Sequence, residues 1–295
     1  MNQSKPFFTV IINCFNCSKF LEEAIHSVLD QSFEDWELIL WDNCSKDSSE
    51  SIFNAFEDVR FRYYKSDEHT NLAMARNAAI KRARGQWVGF LDSDDLWMPT
   101  KLERQLELIN INEPKLGLVY GYCKTIVSQE ESKMDNYWTS SILKHRFRKK
   151  NKLREGKIFS SLINENFIPL SSAVFPRKVF QEVGGIDENL IQAEDYDLFL
   201  KISNKYKVRA VNDVITKYRL HGENLSINQT KENFVESISI LSKYLPSKKV
   251  QKAISYHNTS YGIYEIKNRK FIKGIMRIIL KGSFIKILKK LCSSI

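Results

Sequence analysis

The sequence contains few cysteines and no long apolar run, and both shortages argue against whole classes of protein. Only five of its 295 residues are cysteines, without a repeated spacing, so a disulfide framework of the secreted type is not expected. No segment reaches the roughly 18 uninterrupted apolar residues of a membrane-spanning helix, and residues 1–6 contain no signal-peptide stretch. We therefore expect reduced thiols and a cytoplasmic location.

One cysteine pair leaves alternatives open. Cys14 and Cys17 form a C-x-x-C, which occurs in redox pairs and in half of a zinc site. No second C-x-x-C and no nearby histidine pair completes a zinc site. Ordinary packing of two reduced thiols is therefore the favoured interpretation.

Acidic residues are missing from the C-terminal tail, which we define as residues 266–295. The tail holds nine basic residues, so it carries nearly all of the net charge of +10. These residues are Lys267, Arg269, Lys270, Lys273, Arg277, Lys281, Lys286, Lys289 and Lys290. Apolar residues interleave with them between Phe271 and Leu288, which makes the pattern amphipathic.

Basic amphipathic helices lie on anionic membrane surfaces, so the tail predicts a protein peripheral to the inner face of the cell membrane. The alternative is a helix packed on the domain with a solvated basic face. Nucleic-acid binding is not expected, because no recognised module or platform of aromatic and basic residues accompanies the charge.

Strand-like and helix-like segments alternate along the first half of the chain, as in βαβ units. Apolar and β-branched runs predict strands over 7–12, 36–41, 59–64 and 87–91. Helical spacing of apolar residues predicts helices over 20–29, 72–84, 193–206 and from residue 99 onward. The pattern indicates an α/β protein with a Rossmann-like, mostly parallel sheet flanked by helices.

A basic segment over 138–157 interrupts this alternation. Its weak periodicity predicts a loop, and loops of this length in compact domains are uncommon unless functional or disordered. Two interpretations remain open, an acceptor-facing lid and a solvated loop.

Carboxylates crowd the end of the fourth predicted strand, in a segment that we call the acid turn, Asp92-Ser93-Asp94-Asp95. Their mutual repulsion at a buried strand end would be costly without a cation, and Mg²⁺ or Mn²⁺ is the hard cation that such oxygens bind. A cation here would also neutralise a leaving diphosphate, which suits transfer from a nucleotide sugar. The alternative is a solvated acidic turn.

Two further groups carry candidate chemistry. The acid pair, Glu194-Asp195, begins a predicted helix, where the carboxylates could stabilise the helix dipole or supply a general base. We expect Asp195 to be the base. His221 follows Arg219 in a polar loop, where a lone histidine is structural, completes a metal site or contacts phosphate.

Seven sequence blocks, in this order, resemble the family 2 inverting glycosyltransferases of the GT-A fold. The blocks are VIINCFN (10–16), WDNCSKD (41–47), LAMARNAAI (72–80), FLDSDD (90–95), VGGIDE (183–188), AEDYDLFLK (193–201) and YRLHGENLS (218–226). The resemblance covers roughly residues 7–225. It implies a GT-A domain over 1–225 and a helical extension with a basic amphipathic tail over 226–295.

The resemblance also implies roles for matched positions. It places Phe15, Asn16 and Asp42 at the nucleotide, and Arg76 at the nucleotide or diphosphate. Within the acid turn it places Asp92 at the ribose, with Ser93 beside it, and Asp94 on the metal. It makes Asp195 the base beside Glu194, and His221 a member of the metal or diphosphate shell. The chain departs from the common pattern at Asn13, Asn43 and Cys44, where the family usually has Pro, Asp and Gly.

The reaction implied by the resemblance is a metal-dependent, inverting transfer with Mn²⁺ or Mg²⁺. A UDP-sugar is the leading candidate donor, and the acceptor is a glycan or lipid-linked glycan of lipopolysaccharide, O-antigen or capsule type. Two other classes of protein fit the sequence less well. A dinucleotide-dependent oxidoreductase would need a G-x-G-x-x-G after the first strand, which the sequence lacks. A catalytically silent membrane or glycan-binding module would keep the fold without the base, yet Asp195 is present.

Overall fold

The computed structural model describes residues 5–127, 152–224 and 230–282. Most of the basic segment 138–157 and the tail beyond residue 282 lie outside the described residues, so the predictions made for them are untested. The expected strands and helices of the first half fall inside.

Strands and helices alternate through the first half as expected. The strands are β1 (Phe8–Cys14), β2 (Trp36–Asp42), β3 (Phe61–Lys65), β4 (Trp87–Phe90), β5 (Leu96–Trp97) and β6 (Leu116–Val127). The helices between them are α1 (Ser18–Leu29), α2 (Ser49–Asn54), α3 (Leu72–Arg82) and α4 (Lys101–Ile109).

The second half adds shorter elements and then a helical extension. Helix α5 (Phe159–Leu162) and a 3-10 turn (Leu170–Ser172) precede β7 (Val174–Pro176), α6 (Arg177–Glu182), α7 (Glu194–Lys205) and β8 (Lys207–Leu220). The extension consists of α8 (Thr230–Ser242), α9 (Lys248–Lys267) and α10 (Phe271–Lys281).

The eight strands form one sheet in the order β3-β2-β1-β4-β7-β6-β8-β5. Four pairings are parallel, β1 with β2, β1 with β4, β2 with β3, and β6 with β8. The other three, which involve β5 and β7, are antiparallel. Strands β1, β2 and β4 are buried almost throughout because α1 packs on one face of the sheet and α3 on the other, and this explains why continuous apolar runs predicted them.

The helical extension packs on the sheet domain instead of standing apart from it. Ile240 and Leu241 of α8 and Val250 of α9 belong to the same buried cluster as Ile11 of β1 and Phe175 of β7. Within residues 5–127, 152–224 and 230–282, no helix is both long enough and apolar enough to cross a membrane.

The expectation of reduced thiols was wrong for one pair. Cys14 and Cys17 are joined by a disulfide. Cys14 ends β1 and Cys17 is the N-cap residue of α1, so the tight turn between strand and helix brings their Cα atoms to 5.6 Å, within the range that a disulfide spans.

Candidate functional site

Three strands bring their carboxyl ends to one edge of the sheet. In the parallel register, Asn13 of β1 lies opposite Trp41 of β2, and Cys14 lies opposite Asp42. Strand β4 pairs with the other side of β1, so the acid turn that follows it emerges at the same edge. This is the edge at which parallel α/β sheets bind ligands.

Asp42 is fully buried at this edge. Its Oδ1 accepts a hydrogen bond from the Ser45 backbone N–H at 2.7 Å, and its Oδ2 accepts one from the Tyr63 hydroxyl at 2.6 Å. Burial, reinforced by the neighbouring Asp42 carboxylate, raises the pKa of Tyr63, so the phenol stays protonated and donates. Each carboxylate oxygen keeps a second lone pair, and the predicted contact of Asp42 with a nucleotide base stays a prediction.

Phe15 and Asn16 follow β1 directly. The Phe15 side chain is 47% exposed and its ring centroid lies 3.9 Å from that of His69, which leaves ring surface open at the predicted nucleotide position. Asn16 has a positive φ of 51°, and its Oδ1 accepts from the Lys46 backbone N–H at 2.9 Å. Asn16 therefore ties the loop after β1 to the loop after β2.

The three residues that depart from the common family pattern, Asn13, Asn43 and Cys44, lie at this edge of the sheet. The Asn43 amide donates to the Thr70 carbonyl at 2.7 Å and accepts from the Thr70 hydroxyl at 2.9 Å. Cys44 has a φ of 72°, a conformation that favours glycine and explains the residue usual there. Both amide atoms of Asn13 are buried without a hydrogen-bond partner among the described residues, which leaves donor and acceptor capacity beside Asp42.

The acid turn concentrates negative charge at the end of β4. Burial raises the pKa of Asp92 and raises that of Asp95 well above its ordinary value, and the neighbouring Asp94 carboxylate adds to both shifts. The Ser171 hydroxyl donates to Asp95 Oδ2 at 2.7 Å and lies 3.3 Å from Asp92 Oδ2. Ser93 is half-buried between the aspartates.

Arg76 of α3 links the acid turn to the acid pair. Its side chain is only 5% exposed, Nη2 donates to Asp92 Oδ1 at 3.0 Å, and Nη1 donates to Glu194 Oε1. Burial raises the pKa of Glu194 to about 7, opposed by the Arg76 cation and reinforced by Asp195. The guanidinium thus holds together two carboxylates that are far apart in sequence. Its predicted contact with a nucleotide or diphosphate is not tested.

Asp195 lies beside Glu194 in the first turn of α7 and is half-buried. Its Oδ2 accepts from the Asn166 side-chain amide at 3.1 Å, and its Oδ1 accepts from the Tyr196 backbone N–H at 2.6 Å. Two donors therefore fix the orientation of the Asp195 carboxylate.

His221 reaches the acid turn from the end of β8. Its Nε2 lies 2.8 Å from Asp94 Oδ2, and the Asn224 amide donates to the same oxygen at 3.3 Å. Arg219 fixes this segment, because its Nε donates to the Asp94 carbonyl at 2.9 Å and its backbone N–H donates to Asp95 Oδ1 at 3.0 Å. The structure therefore brings both predicted metal ligands together.

A carboxylate oxygen and an imidazole nitrogen that face each other, Asp94 Oδ2 and His221 Nε2, fit a divalent cation bound between them. The described part of the chain contains no group of three or more His, Cys, Asp or Glu arranged to hold a metal. Asp94 and His221 would therefore supply two protein ligands and leave the other positions to water or substrate.

Sequence reasoning missed Ser171 and Asn166. Both lie between α5 and β7, where the sequence shows no periodicity and no recognised block. Their neighbours were the only available signal, since isolated polar residues beside apolar ones such as Ile168 and Leu170 are often buried and hydrogen-bonded.

Comparison with known proteins identifies the family. Residues 9–184 match the Glycosyl transferase family 2 profile. The putative teichuronic acid biosynthesis glycosyltransferase TuaG of Bacillus subtilis is 29% identical over 235 residues, which cover 78% of this chain and 86% of TuaG. The UDP-Glc:alpha-D-GlcNAc-diphosphoundecaprenol beta-1,3-glucosyltransferase WfaP of Escherichia coli is 28% identical over 238 residues, covering 79% of this chain and 86% of WfaP.

Solved structures show the same fold at lower identity. TarS 1-349 of S. aureus in complex with UDP-GlcNAc superposes with a TM-score of 0.66 at 16% identity, covering 92% of this chain and 79% of TarS 1-349. The mannosyltransferase PcManGT of Pyrobaculum calidifontis, in complex with GDP-Man and Mn²⁺, gives 0.64 at 16% identity, covering 99% and 80%. The expected GT-A fold is thereby confirmed. Because the family profile spans more than half of the chain, this protein belongs to the family 2 glycosyltransferases.

Proposed function

We propose that the protein transfers a sugar from a UDP-sugar to a hydroxyl group of a growing lipid-linked surface glycan, with inversion at the anomeric carbon. The observation that carries the proposal is the Arg76 bridge, which holds Asp92 of the acid turn and Glu194 of the acid pair in one frame. The acid turn, which is suited to bind the donor, and the acid pair, which contains the proposed base, thus lie on two sides of the buried Arg76 guanidinium.

The names of similar proteins support the donor and the acceptor class. TarS was solved with UDP and with UDP-GlcNAc. WfaP is named as an enzyme that uses UDP-Glc and a diphosphoundecaprenol-linked acceptor, and TuaG as a protein of teichuronic acid biosynthesis. This chain matches most of the length of each.

Asp195 performs the proton chemistry in this proposal. Its Oδ2, oriented by Asn166, takes the proton from the acceptor hydroxyl while that oxygen attacks the anomeric carbon. The new glycosidic bond forms as the bond from the anomeric carbon to the diphosphate oxygen breaks, and UDP leaves. Attack from the face opposite the leaving group inverts the configuration.

The donor is bound at the carboxyl edge of β1, β2 and β4. Phe15 presents its exposed ring face to the uracil. Asn16 and Asp42 line the base pocket, and the Asn13 side-chain amide, which has no hydrogen-bond partner among the described residues, lies beside them. Asp92 and Ser93 face the ribose, and Arg76 holds Asp92 in position and adds positive potential towards the diphosphate.

Asp94 and His221 would hold Mn²⁺ or Mg²⁺. When bound, the cation neutralises charge on the departing diphosphate. Support comes from the contact between the two side chains in this protein and from the Mn²⁺ bound with GDP-Man in PcManGT.

The extension over 226–295 attaches the catalytic domain, 1–225, to the anionic inner face of the cell membrane. Helix α10 packs on α9 so closely that a side chain at Gly262 or Gly274 would collide with the neighbouring helix. The opposite side of α10 presents six exposed apolar side chains to solvent. They are Phe271, Ile272, Ile275, Met276, Ile279 and Leu280.

Charge favours a lipid surface over a protein for this apolar face. Lys270 and Lys281 precede and follow these residues in the sequence, Lys273 lies among them with its Nζ 3.8 Å from Glu265 Oε1 of α9, and each cation near an anionic bilayer contributes about 1 kcal/mol. An attached enzyme would meet its lipid-linked acceptor where that acceptor resides.

The decisive experiment is a donor screen. The purified protein with Mn²⁺ should release nucleotide from a UDP-sugar faster than from GDP- or dTDP-sugars, and an undecaprenyl-diphosphate-linked sugar should accelerate the release. Asp195→Asn is the matched control for turnover. Binding of UDP without release from any donor would indicate a silent binding module and overturn the proposal.

A further inference from the structure

Glu236 of α8 joins the helical extension to the segment that leads into the acid pair. Its Oε1 accepts the backbone N–H of Ile191 at 2.8 Å, and its Oε2 accepts those of Gln192 and Ala193, both at 2.9 Å. Three consecutive N–H groups thus converge on one carboxylate that lies 43 to 45 positions further along the chain.

The beginning of α7 lacks a capping side chain of its own. Ala193 is the N-cap residue, and an alanine has no oxygen that could accept the N–H groups left open at a helix start. A negative charge at this end also faces the positive end of the helix dipole. Glu236 therefore supplies the acceptor for the three N–H groups that lead into the helix, and its charge adds to that of the acidic residues of the first turn, Glu194, Asp195 and Asp197.

The other end of the same segment is held by α3. The Asn77 amide donates to the Ile186 carbonyl at 2.9 Å and accepts from the Ile186 N–H at 3.2 Å. Gly184 and Gly185, both with positive φ, begin the turn there. Asn77 fixes where the segment starts, and Glu236 fixes the last three residues before the acid pair.

We propose that Glu236 is a positioning residue for the transfer reaction, which holds the backbone of 191–193 so that Asp195 meets the acceptor hydroxyl. The inference rests on the proposed function, in which Asp195 is the base. It also gives the helical extension a role in catalysis, because Glu236, which positions the base Asp195, lies outside residues 1–225.

Glu236→Gln is the sharpest substitution. It keeps the length of the side chain but replaces one acceptor oxygen with an NH₂ group, so at least one of the three bonds is lost. A misplacement of about 1 Å costs on the order of a hundredfold in rate, so we expect kcat to fall about 10- to 100-fold. KM for the donor should stay within about twofold, because the donor contacts lie on β1, β2 and β4.

The control is Glu232→Gln, which removes a carboxylate one turn earlier on the same helix. Glu232 lies 3.9 Å from Lys231 Nζ, and its loss should leave kcat unchanged. Hydrogen exchange adds a readout that is independent of activity. The amides of 191–193 should exchange at least about tenfold faster in Glu236→Gln than in Glu232→Gln.

A double variant tests whether Glu236 acts through Asp195. Adding Glu236→Gln to Asp195→Asn should leave the residual rate of nucleotide release unchanged, since the group being positioned is already disabled. Full turnover by Asp195→Asn alone would overturn the base assignment. Unchanged kcat and unchanged exchange in folded Glu236→Gln, or additive losses in the double variant, would overturn the positioning role of Glu236.

Discussion

His221 Nε2 lies 2.8 Å from Asp94 Oδ2, although 127 positions separate the two residues. The pairing of β5 with β8 produces this contact. Strand β5 follows the acid turn directly, and its Leu96 lies opposite Lys217 of β8 in antiparallel register. The chain that continues from Lys217 to His221 therefore runs back along the acid turn.

This contact predicts a metal requirement that depends on both side chains. Asp94→Ala should abolish the part of the transfer activity that EDTA removes. His221→Ala should raise the Mn²⁺ concentration for half-maximal activity about tenfold, because one ligand of two is lost. Asp30→Ala, an exposed aspartate at the end of α1, is the charge control. Full EDTA-sensitive activity in Asp94→Ala would rule out this metal site.

Asp195→Asn separates binding from chemistry. The amide keeps the shape of the carboxylate but cannot accept the proton, so kcat should fall about 10²- to 10⁴-fold. Affinity for UDP, measured by calorimetry, should remain within about twofold of the original protein. A variant that lost UDP binding together with turnover would instead indicate a structural role for Asp195.

Arg76 is predicted to dominate the stability of the site. Arg76→Met leaves Glu194 buried without its cation, which should lower the free energy of unfolding by about 3 to 5 kcal/mol. Adding Glu194→Gln removes the stranded charge and should restore part of that loss. Urea unfolding of the three proteins measures both effects. Equal stability of Arg76→Met and the original protein would mean that the bridge carries no net stabilisation.

The sequence predicted the frame of this site well and its connections poorly. Strands β1, β2 and β4 are continuous apolar runs because helices cover both of their faces, so their ends, and with them Asp42 and Asp92, were predictable. The partners of Arg76 were not, because Glu194 lies 118 positions away and helical periodicity carries no information about such pairs. The three hydrogen bonds of Glu236 could not be predicted for the same reason, because their donors lie 43 to 45 positions away in the sequence.

The Cys14–Cys17 disulfide shows a different limit. The absence of a cysteine framework correctly argued against a disulfide-rich fold, yet it says nothing about two cysteines that one tight turn brings together. A strand end followed at once by a helix start places positions three apart within reach of each other. The local backbone geometry, and not the number of cysteines, explains why Cys14 and Cys17 form a disulfide.

Acid should weaken the link between Asp187 and the extension. The hydrogen bond from Lys243 Nζ, at 2.7 Å, together with bonds from Asn189, lowers the pKa of Asp187 from 3.8 to about 2. A lowered pKa gives stability that is complete above about pH 4 and disappears as the pH falls towards 2.

Asp187→Asn should therefore reduce the free energy of unfolding by less than about 1 kcal/mol at pH 7, since solvent screens the pair. The difference from the original protein should narrow progressively below about pH 4. Lys243→Met should reproduce this pH dependence in urea unfolding. A difference that stayed constant from pH 7 to pH 3 would show that Asp187 acts without its charge.

The exposed face of α10 provides the test of membrane attachment. Ile272 and Ile279 are 82% and 69% exposed on the side away from α9, so replacing both with serine should leave the fold intact. Burial of one such side chain contributes about 1.5 to 3 kcal/mol, and the double variant should bind anionic vesicles at least about tenfold more weakly in flotation assays.

Val59→Ser is the matched control, because Val59 is also 82% exposed but lies outside the extension. High salt should weaken the remaining binding, since the lysines act through screened charge. Equal flotation of the double variant and the Val59 control would mean that α10 is not the membrane-binding surface.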